Sequence, residues 1–468
     1  MKDAPTFNPL HAYTNWVTST PGVWPEEALA VTRRAIIDVV ACMLPGSREP
    51  VVDKVYGVVS RWGDGPARVV GKPKALSAPM AALVNGTSAH AQDFDDNFDP
   101  AKAHATAVLV PALLAICDQE DLDTDALSDA YIVGLQIMGR VGQAVNPFHR
   151  SRGWHATATL GAIGAAAGCA RALKLDAEQT AHAISLSTSR AAGFMSQFGT
   201  DTKPLHAGFA ACGGVEAALF AKAGVTSGAE ALHGPNGLRT LMVGPDVDDL
   251  AASMEGKAEH GQTVTFRDED VGDPLHVSHH GLKVKRFPNC GSVHRALDGL
   301  LELREAHSFT AESVDHVLVR APAAHLRNLM YTHPETPAEA KFSLEYNLAV
   351  GLLQGEVALG DFELDAIARP EALSLLSKIK KDYVEKLESE FPTEVHVTLT
   401  DGTTVSTSYE MPVGSKARPL SDEQILQKFD GCAAATKGLA NATQIKDALE
   451  GLETNRPVRD LTRLLESE

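Results

Sequence analysis

Apolar positions in the first 260 residues recur at three- and four-residue spacing, the pattern of helices that bury one face. Trp24-Pro25-Glu26-Glu27 opens one such run with proline and acids in its first turn, and Pro45-Gly46 closes it. Further helices are predicted over Val51 to Trp62, Ala78 to Ala91, Ala105 to Cys117 and Ala126 to Val145. The stretch Ala156 to Leu175 carries Gly161, Gly164, Gly168 and many alanines. Small residues let backbones approach closely, so this helix is expected at the centre of its domain. Asp176 and Gln179 make an aspartate capping box for the helix that follows to Ala192. Pro204 suits the first position of a helix running through Ala223. No strand-like alternation precedes residue 260.

The pattern changes after about residue 270. Val277 to Phe287 is cationic and partly alternating, and a helix is predicted over Ser292 to Ala306. Val314 to Val319 alternates as a strand, and Ala338 to Gln354 reads as helix. Glu394 to Leu399 and Thr404 to Tyr409 flank Asp401-Gly402, a strong hairpin signal. From Ser421 the chain returns to helix. The expected architecture is mainly α: a large helical domain over 1–269, an inserted α+β unit over 270–410, and a helical tail over 411–468 that packs back on the first domain. A cleft between two such domains is a favoured place for a ligand.

Composition narrows the classes. The 468 residues suffice for two or about three domains. At 44% apolar and 22% charged the chain reads as an ordinary soluble globular protein, with no apolar run approaching a membrane span. Its net charge of −18 repels nucleic acid and anionic membrane, so neither is an expected partner. The start, MKDAPTFNPLHAY, lacks the basic and apolar regions of a signal peptide, which predicts a cytoplasmic protein. Six cysteines lie far apart with no C-x-x-C pair, against both a disulfide framework and a zinc cage.

Candidate chemistry concentrates in HAQDFDDNFDPAKAHAT, His90 to Thr106, where Asp93, Asp95, Asp96 and Asp99 crowd into seven positions between two apolar helices. Carboxylates so placed repel one another and lose water, and need a metal, cations or a proton-transfer role to compensate them. A solvated acidic cap is the plain alternative. His104, His155 and Lys203 each stand just before a predicted helix that begins with small residues or proline. Helix N-termini favour anions, so three such ends brought together would hold a small polyanion. Asp38, among Ile36, Ile37, Val39 and Val40, reads as a buried structural acid bonded to backbone or to an arginine. A rival reading takes Asp95, Asp96 and Asp99 as the DDxxD motif that holds magnesium diphosphate in all-α prenyl-chain enzymes. The low aromatic content, 6%, and the lack of a second acidic motif argue against it, and magnesium dependence would separate the two.

HAQDFDD, PAKAHAT and PALLA, then RGWHATATLGAIGAAA, KPLHAGFAACGGVEAALFAKAG, VKRFPNCGSVHRALDGL and DGTTVSTSYEMPVGSKARPLSDEQILQKF follow in order. Together they resemble the MmgE/PrpD family, whose members include 2-methylcitrate dehydratases, cis-aconitate decarboxylases and an iminodisuccinate epimerase. The resemblance implies a large helical domain with a smaller α+β lid, a homodimer, no metal or organic cofactor, and a small polycarboxylate as the partner molecule. Matched position by position, Asp93, Asn97, His104, His155, Lys203, Lys285, Cys290 and Tyr331 are the pocket positions it implies. Decarboxylase-type members carry threonine where Asn97 stands and histidine where Cys290 stands. The stretch before His104 is one residue longer here, and Ala105 replaces the usual proline. These departures leave the substrate open.

Dehydration of a hydroxy tricarboxylate needs a base for the proton next to a carboxylate, an acid for the departing hydroxide, and cations for the charge that develops between. His155 is the expected base and His104 the expected acid, or the reverse. Asp93 is expected to orient one histidine. Lys203 and Lys285 are expected to clamp carboxylates, and Tyr331 to donate to the departing oxygen. Asn97 and Cys290 line the pocket, the cysteine as packing rather than nucleophile. Epimerisation or decarboxylation is open to the same equipment, and so is polycarboxylate binding without turnover.

Overall fold

A computed structural model describes residues 7–267, 270–386 and 390–467. The described residues fall into two compact units. One comprises the chain up to Ala91, Asp95–Leu282 and the chain from Asp422 onward; the other comprises Gln92–Phe94 and Lys283–Ser421.

The larger unit is helical. Its centre is built from Ala78–Ala91, Ala156–Ala172 and Thr202–Lys222, with Thr106–Glu120 and Thr124–Val145 packed around them. Small residues permit this. A Cβ placed on Gly208 would lie 2.3 Å from the Leu83 carbonyl oxygen, and one on Gly214 would lie 2.4 Å from the Ala165 Cβ. Three helices therefore meet nearly backbone to backbone. The capping box at Asp176 forms, with the Gln179 N–H donating to Asp176 Oδ1 at 2.8 Å. The tail helix Asp422–Ala435 packs on Glu26–Gly46 within this unit. Asp38 is buried there and pairs with the ammonium of Lys428 at 2.6 Å. No helix among the described residues is long and apolar enough to cross a membrane.

The smaller unit holds a four-stranded sheet in the order β2-β1-β3-β4. Strand β1 is Val314–Pro322, β2 is Ile379–Val384, β3 is Thr393–Leu399 and β4 is Thr404–Tyr409. Strands β3 and β4 form the antiparallel hairpin around Asp401-Gly402, and β1 pairs antiparallel with β3 and parallel with β2. The helices Gly291–His307 and Leu344–Gln354 cover the sheet through Leu297, Leu300, Tyr346, Val317 and Val395. Strand β2, Ile-Lys-Lys-Asp-Tyr-Val, was not expected. It is an edge strand in which only Ile379 is buried, so no apolar alternation marks it. The single helix expected over Ala338 to Gln354 is two: Pro337–Ala340, then Leu344–Gln354 capped by the Ser343 side chain.

Candidate active site

Four elements of the helical unit bring titratable side chains together. His90 stands in the last turn of Ala78–Ala91. His104 lies in the turn before Thr106–Glu120, and its backbone N–H donates to Thr157 Oγ1 at 3.1 Å. His155 is the N-cap residue of Ala156–Ala172, tied by its backbone N–H to the Gly193 carbonyl at 3.0 Å. The last helix begins at Thr202, two residues before Pro204, so Lys203 sits within its first turn and His206 follows on the same face.

The four meet around His90. Its Nδ1 is 2.9 Å from Asp95 Oδ1, and its Nε2 is 3.1 Å from Lys203 Nζ. The other oxygen of the same carboxylate, Oδ2, is 3.0 Å from His104 Nδ1. The His104 and His155 rings lie 4.3 and 6.2 Å from the His90 ring. His155 Nδ1 is 2.9 Å from His206 Nδ1, so one of these two nitrogens carries a hydrogen and the other does not. Phe198 packs edge-on against His155 and lies 5.6 Å from the Lys203 ammonium. His104, His155 and Lys203 are thus brought together. His90 and His206 join them without having been singled out as site residues, and Asp95, read from the sequence as one of four crowded acids, joins them as the partner of two imidazoles. The usable signal for His206 was its place one turn after Lys203.

Protonation follows from burial and neighbouring charge. Burial alone would push the Asp95 carboxyl up, but His90 and His104 outweigh it and hold it well below the ordinary carboxylate range. Burial, reinforced by the charge of Lys203 and by that of the neighbouring imidazoles whenever they are protonated, holds His155 well below 6.5. The same causes, burial first, lower His206 to about 4. His149 is lowered to about 3 and His276 well below 6.5, both chiefly by burial. Each of these four rings is neutral when folded and takes up a proton near pH 6.5 when unfolded. The unfolded chain therefore binds more protons as pH falls below 6.5, and stability falls with it. Asp96 works in the opposite sense. Burial pushes it up to about 7, aided by Asp38 and Asp95 and opposed by its bond from Thr106, so its contribution is lost as pH rises. Asp298, also pushed up chiefly by burial, works in the same sense as Asp96, and four rings against these two carboxyls decide the sign: the thermal midpoint is expected to drop steadily from about pH 6.5 to about pH 4.5. A midpoint that holds level or rises across that range contradicts the neutral-histidine assignment.

The acidic stretch does not assemble as a DDxxD site. Asp95 is held between two imidazoles, Asp96 accepts from the hydroxyl and N–H of Thr106, and Asp99 lies 3.6 Å from His260. Among the described residues, no metal-capable cluster contains Asp95, Asp96 and Asp99 together. His90, Asp95 and His104 do offer ligand atoms within 4.8 Å of one another, but an ammonium faces His90 Nε2 and the carboxylate takes its Nδ1. That is the donor and acceptor pattern of a proton-sharing network. Asn97, half-buried, lies two residues beyond Asp95 in this unit.

The remaining candidates belong to the α+β unit. Asp93 Oδ1 accepts from the buried Lys285 ammonium at 2.6 Å, and the Asp93 carbonyl accepts from the same group at 2.6 Å. Asp93 holds a left-handed backbone, φ +51°, which aspartate tolerates better than most residues. The break before Leu344–Gln354 supplies two bonds: the Lys341 carbonyl accepts from the Cys290 N–H, and the Phe342 carbonyl accepts from the Tyr331 N–H. Lys341, nearly buried, donates to Gln92 Oε1 at 2.8 Å. It is a second lysine in this unit, beside Lys285, that the sequence reading passed over.

Two family models match the chain: the MmgE/PrpD N-terminal domain over residues 14–250 and the MmgE/PrpD C-terminal domain over residues 287–454. Among curated proteins, cis-aconitate decarboxylase of Mus musculus is 27% identical over 93% of this chain and 88% of its own length. Cis-aconitate decarboxylase of Homo sapiens is 28% identical over 85% of this chain and 81% of its own. The cis-aconitate decarboxylase-like protein oryM of Aspergillus oryzae is 25% identical over 97% of this chain and 96% of its own.

Proposed function

The chain belongs to the MmgE/PrpD family, and from that premise and the geometry of its helical unit we propose a cofactor-independent lyase that acts on a small polycarboxylate. The observation that carries the reading is the pair of imidazoles, each with its own buried partner, beside one ammonium. We assign dehydration of a hydroxy tricarboxylate of the 2-methylcitrate kind as the leading reaction. His155, neutral, takes the proton next to a carboxylate. The electron pair moves first onto that carboxylate, where Lys203 opposes the growing charge, and then into the new double bond as the carbon–oxygen bond breaks. His104, as an imidazolium balanced by Asp95, gives the departing hydroxide a proton, and water leaves. Two separately held proton-transfer groups suit a reaction with two proton transfers.

The names of the relatives favour a second reading, loss of carbon dioxide from an unsaturated tricarboxylate such as cis-aconitate. There the carboxylate leaves as carbon dioxide and one imidazole returns a proton to carbon. Asn97 and Cys290 depart from the decarboxylase-type residues, which weakens this second reading and leaves the substrate open. Incubation with citrate, 2-methylcitrate, cis-aconitate and iminodisuccinate in D₂O, followed by NMR, separates the outcomes. Loss of the hydroxyl-bearing carbon signal with a new olefinic signal supports dehydration. Carbon dioxide release from cis-aconitate replaces it with the second reading. Exchange of an α-proton alone points to epimerisation, and no change in any of the four overturns the assignment.

A further inference from the structure

We propose that Asp95 is a positioning residue: one buried carboxylate that keeps the ring hydrogens of both His90 and His104 on Nδ1 and, through His90, sets where Lys203 stands. The activity arm of its test rests on the function proposed above, whereas the spectroscopic arm does not.

The argument is one of donors and acceptors. Asp95 is fully enclosed, with no exposed surface; His90 Nδ1 lies 2.9 Å from Oδ1 and 3.1 Å from Oδ2, and His104 Nδ1 lies 3.0 Å from Oδ2. An ionised carboxylate only accepts, so His90 Nδ1, hydrogen-bonded to it, carries hydrogen, and the same negative charge 3.0 Å from His104 Nδ1 favours the hydrogen on that nitrogen of its ring. The far side of His90 meets the Lys203 ammonium at 3.1 Å, and an ammonium only donates. His90 is therefore fixed from both ends as the neutral ring with Nδ1 protonated and Nε2 bare. That bare nitrogen is an anchor for Lys203. On the other side, a hydrogen on His104 Nδ1 leaves Nε2 as the atom that gains and loses a proton, with the countercharge of Asp95 behind the ring.

Asparagine has the same shape and cannot do this. Its oxygen accepts from one ring, but its NH₂ must donate to the other, which then has to be bare at Nδ1 and protonated at Nε2. If His104 is the ring that flips, its outward nitrogen is no longer the titrating one and its countercharge is gone. If His90 flips, an N–H points at the Lys203 ammonium and the anchor becomes a repulsion. Either way one of the two working groups is lost without a change of volume. In serine hydrolases the equivalent aspartate-to-asparagine change costs about 10⁴-fold in kcat by imposing the wrong tautomer.

The experiment uses the full chain labelled with ¹⁵N at histidine. In the wild-type protein at neutral pH, long-range ¹H–¹⁵N spectra should show His90 neutral with hydrogen on Nδ1, assigned by its loss in His90→Gln. In Asp95→Asn one ring of the pair, His90 or His104, should convert to the Nε2-protonated form, with circular dichroism unchanged. On whichever compound of the panel turns over, kcat should fall about 10²–10⁴-fold with KM changed only a few-fold. Asp99→Asn, which removes a neighbouring charge, should leave the ring tautomers as they were. A wild-type His90 that is cationic or protonated on Nε2 overturns the proposal, and so does an Asp95→Asn protein with unchanged tautomers or near wild-type kcat. If no panel compound turns over, the spectra still decide the proposal, so its failure is distinct from failure of the proposed reaction. If Asp95→Asn does not fold, the wild-type spectrum alone decides it.

Discussion

Lys203→Ala and His155→Ala are each expected to remove nearly all turnover while leaving a folded protein. His155→Ala deletes the proposed base, a loss of about 10²–10⁴-fold in kcat. Lys203→Ala deletes the cation that opposes charge on the substrate carboxylate, a loss of about 10²–10³-fold. Neither side chain holds its helix in place. His155 is tied by its backbone N–H to Gly193, and that bond survives truncation. Lys203 lies in the first turn of its helix, and its ammonium is 3.1 Å from His90 Nε2. The lysine variant has a second signature. The charge of Lys203 is among the causes that lower His155 and His206, so its removal should move both rings toward the ordinary histidine range. An acid limb in kcat/KM that shifts upward in Lys203→Ala, together with the fall in rate, separates loss of this charge from general damage. Circular dichroism and steady-state kinetics on the substrate identified from the panel make the check. Either variant retaining near wild-type kinetics places the chemistry elsewhere.

What could be read from the sequence, and what could not, divides along the range of the interaction. The Asp176 capping box and the hairpin at Asp401-Gly402 depend on residues a few positions apart, and both formed as their local chemistry predicts. The small-residue helix Ala156–Ala172 lies at the packed centre because its glycines leave no other fit. Strand β2 escaped notice because its register is set by β1 and not by its own polar side chains. The break at Lys341 to Ser343 escaped because a serine cap inside an apolar run has no periodicity to betray it. The acidic stretch is the clearest case. Four aspartates within seven positions look alike in one dimension, and the fold sends each to a different partner: Asp93 to Lys285, Asp95 to His90 and His104, Asp96 to Thr106, and Asp99 toward His260. Their division of labour is a property of long-range contacts that no spacing rule contains. For the same reason the pairing of Asp38 with Lys428 is not legible in the sequence: a buried acid announces that it needs compensation, but not which segment supplies it.

That partner leads to the largest expected effect on stability. Lys428→Met should destabilise the helical unit by about 3–5 kcal/mol, because it leaves the Asp38 carboxylate buried without its ammonium. The pair lies 2.6 Å apart with side chains 5% and 1% exposed, so water cannot take the lysine's place. Its electrostatics are visible from the lysine side. Burial would lower the Lys428 ammonium, yet the Asp38 charge outweighs it and raises it above its ordinary value. The pair also pins the tail helix Asp422–Ala435 to Glu26–Gly46, so its loss should loosen that helix first. Hydrogen exchange should report this loosening as faster exchange at the amides around Phe429 and Cys432. Replacing both partners, Asp38→Leu with Lys428→Met, removes the stranded charge and should recover most of the loss, since two apolar groups of similar size satisfy each other where a lone carboxylate cannot. Urea unfolding of the wild type, the single variant and the double variant measures the three values. A single variant within about 1 kcal/mol of the wild type means that the carboxylate finds compensation other than Lys428, and a double variant no better than the single means that the loss does not come from a stranded charge.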